Sequence, residues 1–63
     1  MKINEKIKAA RINAGLTQEQ MADKLGIKQP NYQIYENHTV PSIERLAEIA
    51  EICNVDIKYF LEK

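Results

Sequence analysis

The stretch from Gly15 to Asn37 limits what this chain can fold into more than any other part of it. It reads GLTQEQMADKLGIKQPNYQIYEN, two short helical patterns around a tight turn. Thr17 is placed to be an N-cap, because its hydroxyl can accept an unpaired N–H of the first turn. Gln20 follows at the spacing that completes a capping box, and Leu16 and Met21 have the spacing of a hydrophobic staple. Gly26 comes just after Leu25, where a left-handed residue can close a helix. A second helix then starts near Lys28 or Gln29, and it tolerates Pro30 because that residue lies in the first turn.

The flanking segments continue the helical pattern, so the fold class expected is all-α with five helices. Helix 1 is predicted to start at Asn4 as N-cap, with Glu5 favourable near the positive helix end. Ile3, Ile7, Ala10, Arg11 and Ala14 recur at three or four residues and share one face, and Gly15 ends the helix. Helix 2 is expected from about Gln18 to Lys24, burying Met21, Ala22 and Leu25. Helix 3 is expected from about Gln29 to Glu36, burying Tyr32 and Tyr35. Asn37 to Pro41 is a loop by composition. Ser42 caps helix 4, which runs to about Asn54 with Ile43, Leu46, Ile49, Ala50 and Cys53 inward. Asp56 caps a last short helix carrying Ile57, Phe60 and Leu61. No segment alternates as a strand does.

Sixty-three residues make one domain, 1–63. A chain this short buries only ~60% of its unfolded surface, and 44% apolar residues suffice for a small helical core. The N-terminus lacks the continuous apolar core of a signal peptide. No apolar run approaches the ~20 residues needed to span a bilayer, so no membrane partner is expected. Cys53 is the lone cysteine. It can form no intramolecular disulfide, which points to a cytoplasmic location, and its spacing from Ile49 and Ala50 suits a buried small hydrophobe. The formal net charge is zero. It is unevenly placed, with +3 over residues 1–28 (six Lys/Arg, three Asp/Glu) and −3 over residues 29–63 (three Lys/Arg, six Asp/Glu). Such a dipolar molecule can present its basic half to phosphate.

A helix, a short turn and a second helix make a helix-turn-helix, spanning about residues 17–37. In that motif the second helix enters the DNA major groove. The chain resembles the Cro/lambda-repressor-like (Xre-type) helix-turn-helix family of bacterial and phage regulators. The resemblance rests on Arg11, Gly15, Leu16, Thr17, Gln18, Leu25, Gly26, Gln29, Pro30, Glu36 and Asn37. Downstream it continues through Pro41, Ser42 and the run from Ile43 to Phe60. It implies a compact lambda-repressor-like domain that binds double-stranded DNA and regulates transcription, as a repressor. It also implies that Arg11 and Glu36 form a largely buried ion pair tying helix 1 to helix 3.

Position on helix 3 selects the candidate base readers. With Tyr32 and Tyr35 facing the core, Gln29, Pro30, Gln33 and partly Ile34 face outward. Gln29 is the leading candidate, since an amide can bond adenine N6 and N7 bidentately. Gln33 and Asn31 can reach a base or phosphate, Lys28 a guanine or phosphate, and Pro30 and Ile34 a thymine methyl. Phosphate contacts are expected from Thr17 and Gln18 at the start of helix 2. The resemblance adds the loop residues Asn37, His38 and Thr39, and Ser42 can contribute an N–H. Three residues depart from the family pattern. Lys28 is a poor cap for helix 3, Ile34 removes a polar contact, and His38 stands in place of a frequent Gly. The helix is left with almost no positive charge, so low affinity per monomer is expected. A weak homodimer, or a dimer formed on DNA, would compensate, using the loop after helix 3 and the end bearing Tyr59, Phe60 and Leu61.

A second reading stays open, a protein-interaction or antitoxin-like module on the same fold. Near-neutral charge, Ile34 and the acidic residues Glu44, Glu48 and Glu51 favour it. An enzyme finds no support. One His, one Cys, no metal-ligand spacing and no Gly-rich phosphate loop offer no catalytic set, and no cofactor, metal or small-molecule substrate is expected.

Overall fold

Local sequence signals place the helix ends, and the helices then close on one core. The structure, a computed structural model, describes residues 2–62. The helices are α1 (Ile3–Asn13), α2 (Gln18–Leu25), α3 (Gln29–Asn37), α4 (Ile43–Cys53) and α5 (Lys58–Leu61). Three of them end in the same way. Gly15 (φ +75°), Gly26 (φ +72°) and Asn54 (φ +57°) are left-handed. At each, the next N–H returns to the carbonyl five residues back: Leu16 to Arg11, Ile27 to Ala22 and Val55 to Ala50. These closures satisfy carbonyls that a helix end otherwise leaves bare.

The core joins Ile7 and Ala10 of α1, Met21, Ala22 and Leu25 of α2, Tyr32 of α3, Leu46, Ile49, Ala50 and Cys53 of α4, and Phe60 of α5. Ile3, Leu16, Ile27, Tyr35, Ile52, Val55, Ile57 and Tyr59 pack around its rim. Burial pushes the Cys53 thiol up, which keeps it protonated and unreactive. Among the described residues, no helix is long and apolar enough to cross a membrane.

Several local expectations change. α1 begins two residues earlier than expected, with Lys2 in place of Asn4 as its N-cap. The Glu5 carboxylate accepts the Lys2 N–H at 3.0 Å, so it supplies the cap that the pattern gave to Asn4. Ala14 is exposed beside the helix end rather than inward. Tyr35 is half-buried, and the second inward residue of α3 is Glu36. Ile43 is 53% exposed and Leu61 49% exposed. Each sits at a helix end where no neighbouring helix covers it. Asp56 stands two residues before α5, and its carboxylate accepts the Lys58 N–H at 2.9 Å. His38 has φ −132° and is not left-handed.

Candidate nucleic-acid interface

α2 is closed by its own capping box, and one buried carboxylate, Glu36, ties it to α3. Thr17 Oγ1 accepts the Gln20 N–H at 3.1 Å, and Gln20 Oε1 accepts the Thr17 N–H at 2.9 Å. The capping box therefore uses those two donors, and the N–H groups of Gln18 and Glu19 remain at the positive end of α2. At the other end of α2, Arg45 Nη1 donates to the Leu25 carbonyl at 3.4 Å, tying α4 to the turn. α3 starts without a side-chain cap on Lys28, and Pro30 occupies its first turn.

Glu36 joins three elements. Its side chain is 1% exposed. Arg11 Nε donates to Glu36 Oε2 at 2.7 Å and Arg11 Nη2 to Oε1 at 3.4 Å. The Tyr32 hydroxyl also donates to Oε2, and Gln18 Nε2 donates to Oε1 at 3.1 Å. Arg11 Nη1 continues to the Leu16 carbonyl at 2.7 Å, so one guanidinium links α1, the segment before α2 and the end of α3. Burial alone would push the Glu36 carboxyl up. The hydrogen bonds from Arg11, Tyr32 and Gln18 outweigh it and hold the carboxyl below the usual carboxylate range. Burial, and then the bond to Glu36, push the Tyr32 phenol up, so it stays a neutral donor.

The outer face of α3 is an uncharged stripe. Gln29, Pro30, Asn31, Gln33, Ile34, Asn37 and His38 are all exposed. Pro30, Gln33, Ile34, Asn37 and His38 line one shallow groove, at the three- and four-residue spacing of a single helix face. Lys28 stands exposed at its head. Thr17, Thr39 and Ser42 are exposed at the margins, and Ser42 Oγ accepts the Arg45 N–H at 3.3 Å. Gln18 sits differently. Its side chain is half-buried, spent on Glu36, and its Oε1 lies 3.5 Å from Gln29 Nε2. A carboxylate only accepts, so Gln18 must turn its NH2 toward Glu36 and its carbonyl toward Gln29. What Gln18 retains for an anion is its backbone N–H.

This link between Gln18 and Gln29 could not be read from spacing, because both are plain polar residues on separate helices. Asn4 is the other residue that sequence reasoning misplaced. Its amide crosses to the far end of α3, donating to the carbonyls of Tyr35 at 2.8 Å and Thr39 at 3.1 Å. Among the described residues there is no group of three or more His, Cys, Asp or Glu close enough to hold a metal ion.

Comparison with known proteins shows the family to which this helix-turn-helix belongs. A helix-turn-helix family model matches residues 7–60. The uncharacterized HTH-type transcriptional regulator YqaE of Bacillus subtilis is 40% identical over 60 residues, covering 94% of this chain and 52% of the relative. The cryptic phage CTXphi transcriptional repressor RstR of Vibrio cholerae is 38% identical over 58 residues, covering 90% of this chain and 52% of the relative. The HTH-type transcriptional regulator ImmR of Bacillus subtilis is 34% identical over 64 residues, covering all of this chain and 50% of the relative. The chain thus spans about half the length of the curated relatives it matches. It belongs to the Xre-type helix-turn-helix family.

Proposed function

We propose that this member of the helix-turn-helix family is a sequence-specific DNA-binding transcriptional regulator, acting as a repressor through α3 in the major groove. One observation carries the reading. The outer stripe of α3 is uncharged, largely polar and exposed, while the one carboxylate on that helix is turned inward and paired with Arg11. A groove-entering helix must not carry an uncompensated negative charge toward phosphate.

Gln29 reads a base at the start of α3, with Lys28, Pro30, Asn31, Gln33 and Ile34 around it. The family's repressor RstR supports the direction of regulation. Thr17, the Gln18 and Glu19 N–H groups, Asn37, His38, Thr39 and Ser42 grip phosphate on either side. Those contacts set register rather than preference. With no Lys or Arg on α3 itself, each copy binds weakly. The body measures 28 × 22 × 19 Å. That is shorter than the ~34 Å between half-site centres, so two copies of this domain on one operator make little contact with each other. Exposed Val40 and Leu61 line one groove with Ile3, floored by the buried Phe60. The contact between these domains is small, in keeping with a weak homodimer or a dimer formed on DNA. The location that follows is cytoplasmic, and no step of this function needs catalysis.

The test is Gln29→Ala. Selected duplexes should lose their preference at one position, at ~1–3 kcal/mol for the lost bidentate contact, with the fold intact. Unchanged selectivity in that variant removes Gln29 as a reader and with it the proposed docking of α3.

A further inference from the structure

We propose that Asn4 is a positioning residue that caps α3 from a distance and holds the phosphate-gripping segment Asn37–Thr39 in its DNA-bound shape. The proposal rests on the DNA reading above for its functional half, and on geometry alone for the other half.

α3 is the exception among the first four helices. The ends of α1, α2 and α4 each carry a left-handed residue, and each has two closing bonds. In that closure the N–H of the left-handed residue bonds the carbonyl three residues back, and the next N–H bonds the one five back. α3 makes only half of it. The Thr39 N–H reaches the Ile34 carbonyl at 3.0 Å, but His38 is right-handed in φ and its N–H also goes to Ile34, at 2.8 Å. The Tyr35 carbonyl, which the His38 N–H would otherwise take, is left open. Asn4 Nδ2 fills it at 2.8 Å and uses its second N–H on the Thr39 carbonyl at 3.1 Å. Both acceptors are carbonyls, so chemistry fixes which end of the amide faces them. The two anchored carbonyls bracket Glu36, Asn37 and His38. The segment that must present donors to phosphate is therefore pinned from α1, across more than thirty residues of chain.

The experiment compares Asn4→Ala in two backgrounds, the natural chain and His38→Gly. Glycine at 38 can adopt the left-handed closure and take the Tyr35 carbonyl without help. In the natural background, Asn4→Ala should weaken binding to selected and random duplexes alike by about tenfold, the scale of one or two lost hydrogen bonds. Selectivity stays the same, because phosphate contacts carry no preference. In the His38→Gly background the same change should cost less than about threefold. Without DNA, amide hydrogen exchange at His38 and Thr39 should accelerate in Asn4→Ala while Met21 and Tyr32 keep their protection. Ala favours the helical backbone at position 4; should that variant fail to fold, Asn4→Asp keeps the shape and turns an acceptor toward both carbonyls. Equal loss in both backgrounds, or no loss in a folded variant, overturns the proposal. Faster exchange with no binding of any duplex by the natural chain would keep the cap and overturn its role in binding, together with the DNA reading.

Discussion

Removing the Arg11 guanidinium should change the protein's pH dependence as well as lower its stability. Arg11→Met keeps a good helix former on α1 but takes away every charge partner of a carboxylate whose side chain is 1% exposed. Breaking a buried pair from one side costs ~3–5 kcal/mol. A chain of this length has ~3–9 kcal/mol in total, so the variant should be near its unfolding midpoint at neutral pH, with Tm lowered by more than about 12 °C. In the natural protein the folded Glu36 carboxyl titrates below its unfolded value. Its contribution is complete above the unfolded value of ~4.3 and is lost as pH falls through the lower folded value. In Arg11→Met, burial is opposed only by Tyr32 and Gln18, and the folded carboxyl moves above ~4.3. Stability then rises as pH falls from 7 toward 5, where the natural protein's Glu36 contribution is flat and declines only below ~4.3. Urea denaturation at pH 7 and pH 5 reads both effects. A loss below about 1 kcal/mol, or a variant whose stability does not rise between pH 7 and pH 5, would refute the reasoning that Glu36 is held ionised by Arg11.

Other consequences follow from the same geometry. Gly26→Ala meets no atom within 4 Å of the added carbon, so it should cost only the left-handed strain of ~1–2 kcal/mol, visible in thermal melts. Thr17→Ala removes the α2 cap and should cost ~1 kcal/mol, with faster amide exchange at Gln20 in the folded protein. Ile34→Arg adds a cation to an uncharged stripe. It should tighten binding to all duplexes and steepen the log K against log salt line by ~0.9 per new phosphate contact.

The local parts of this fold were readable from residue order, and the parts that depend on distant partners were not, apart from the Arg11–Glu36 pair that the family resemblance implied. The α2 cap, the glycine closures and the inward set Met21, Ala22 and Leu25 are short-range features, written within one turn of the residues they govern. Ile43 and Leu61 share the apolar pattern of their helices but lie where nothing packs on them. A periodic stripe says which side is apolar, and says nothing about how far along the helix a neighbour extends. Asn4 and Gln18 show the same limit for polar groups. Asn4 has the composition of an N-cap, yet Glu5 already supplies that bond, which frees the amide for carbonyls on α3. Gln18 has the position of a phosphate contact, yet a buried carboxylate on another helix outbids solvent for its NH2. The outward set on α3 was legible because Tyr32 marks the inner face, although its inward partner is Glu36 four residues on and Tyr35 is only half-buried.

The most direct test of the central claim is selection of duplexes from a random pool by the natural chain, followed by titration of the winner at two salt concentrations. The account predicts a two-fold symmetric winner with half-sites about one helical turn apart, bound with an affinity that falls steeply as salt rises. Absence of any enriched sequence, with equally weak binding to every duplex, would contradict it and show that the outer stripe of α3 serves a partner other than DNA.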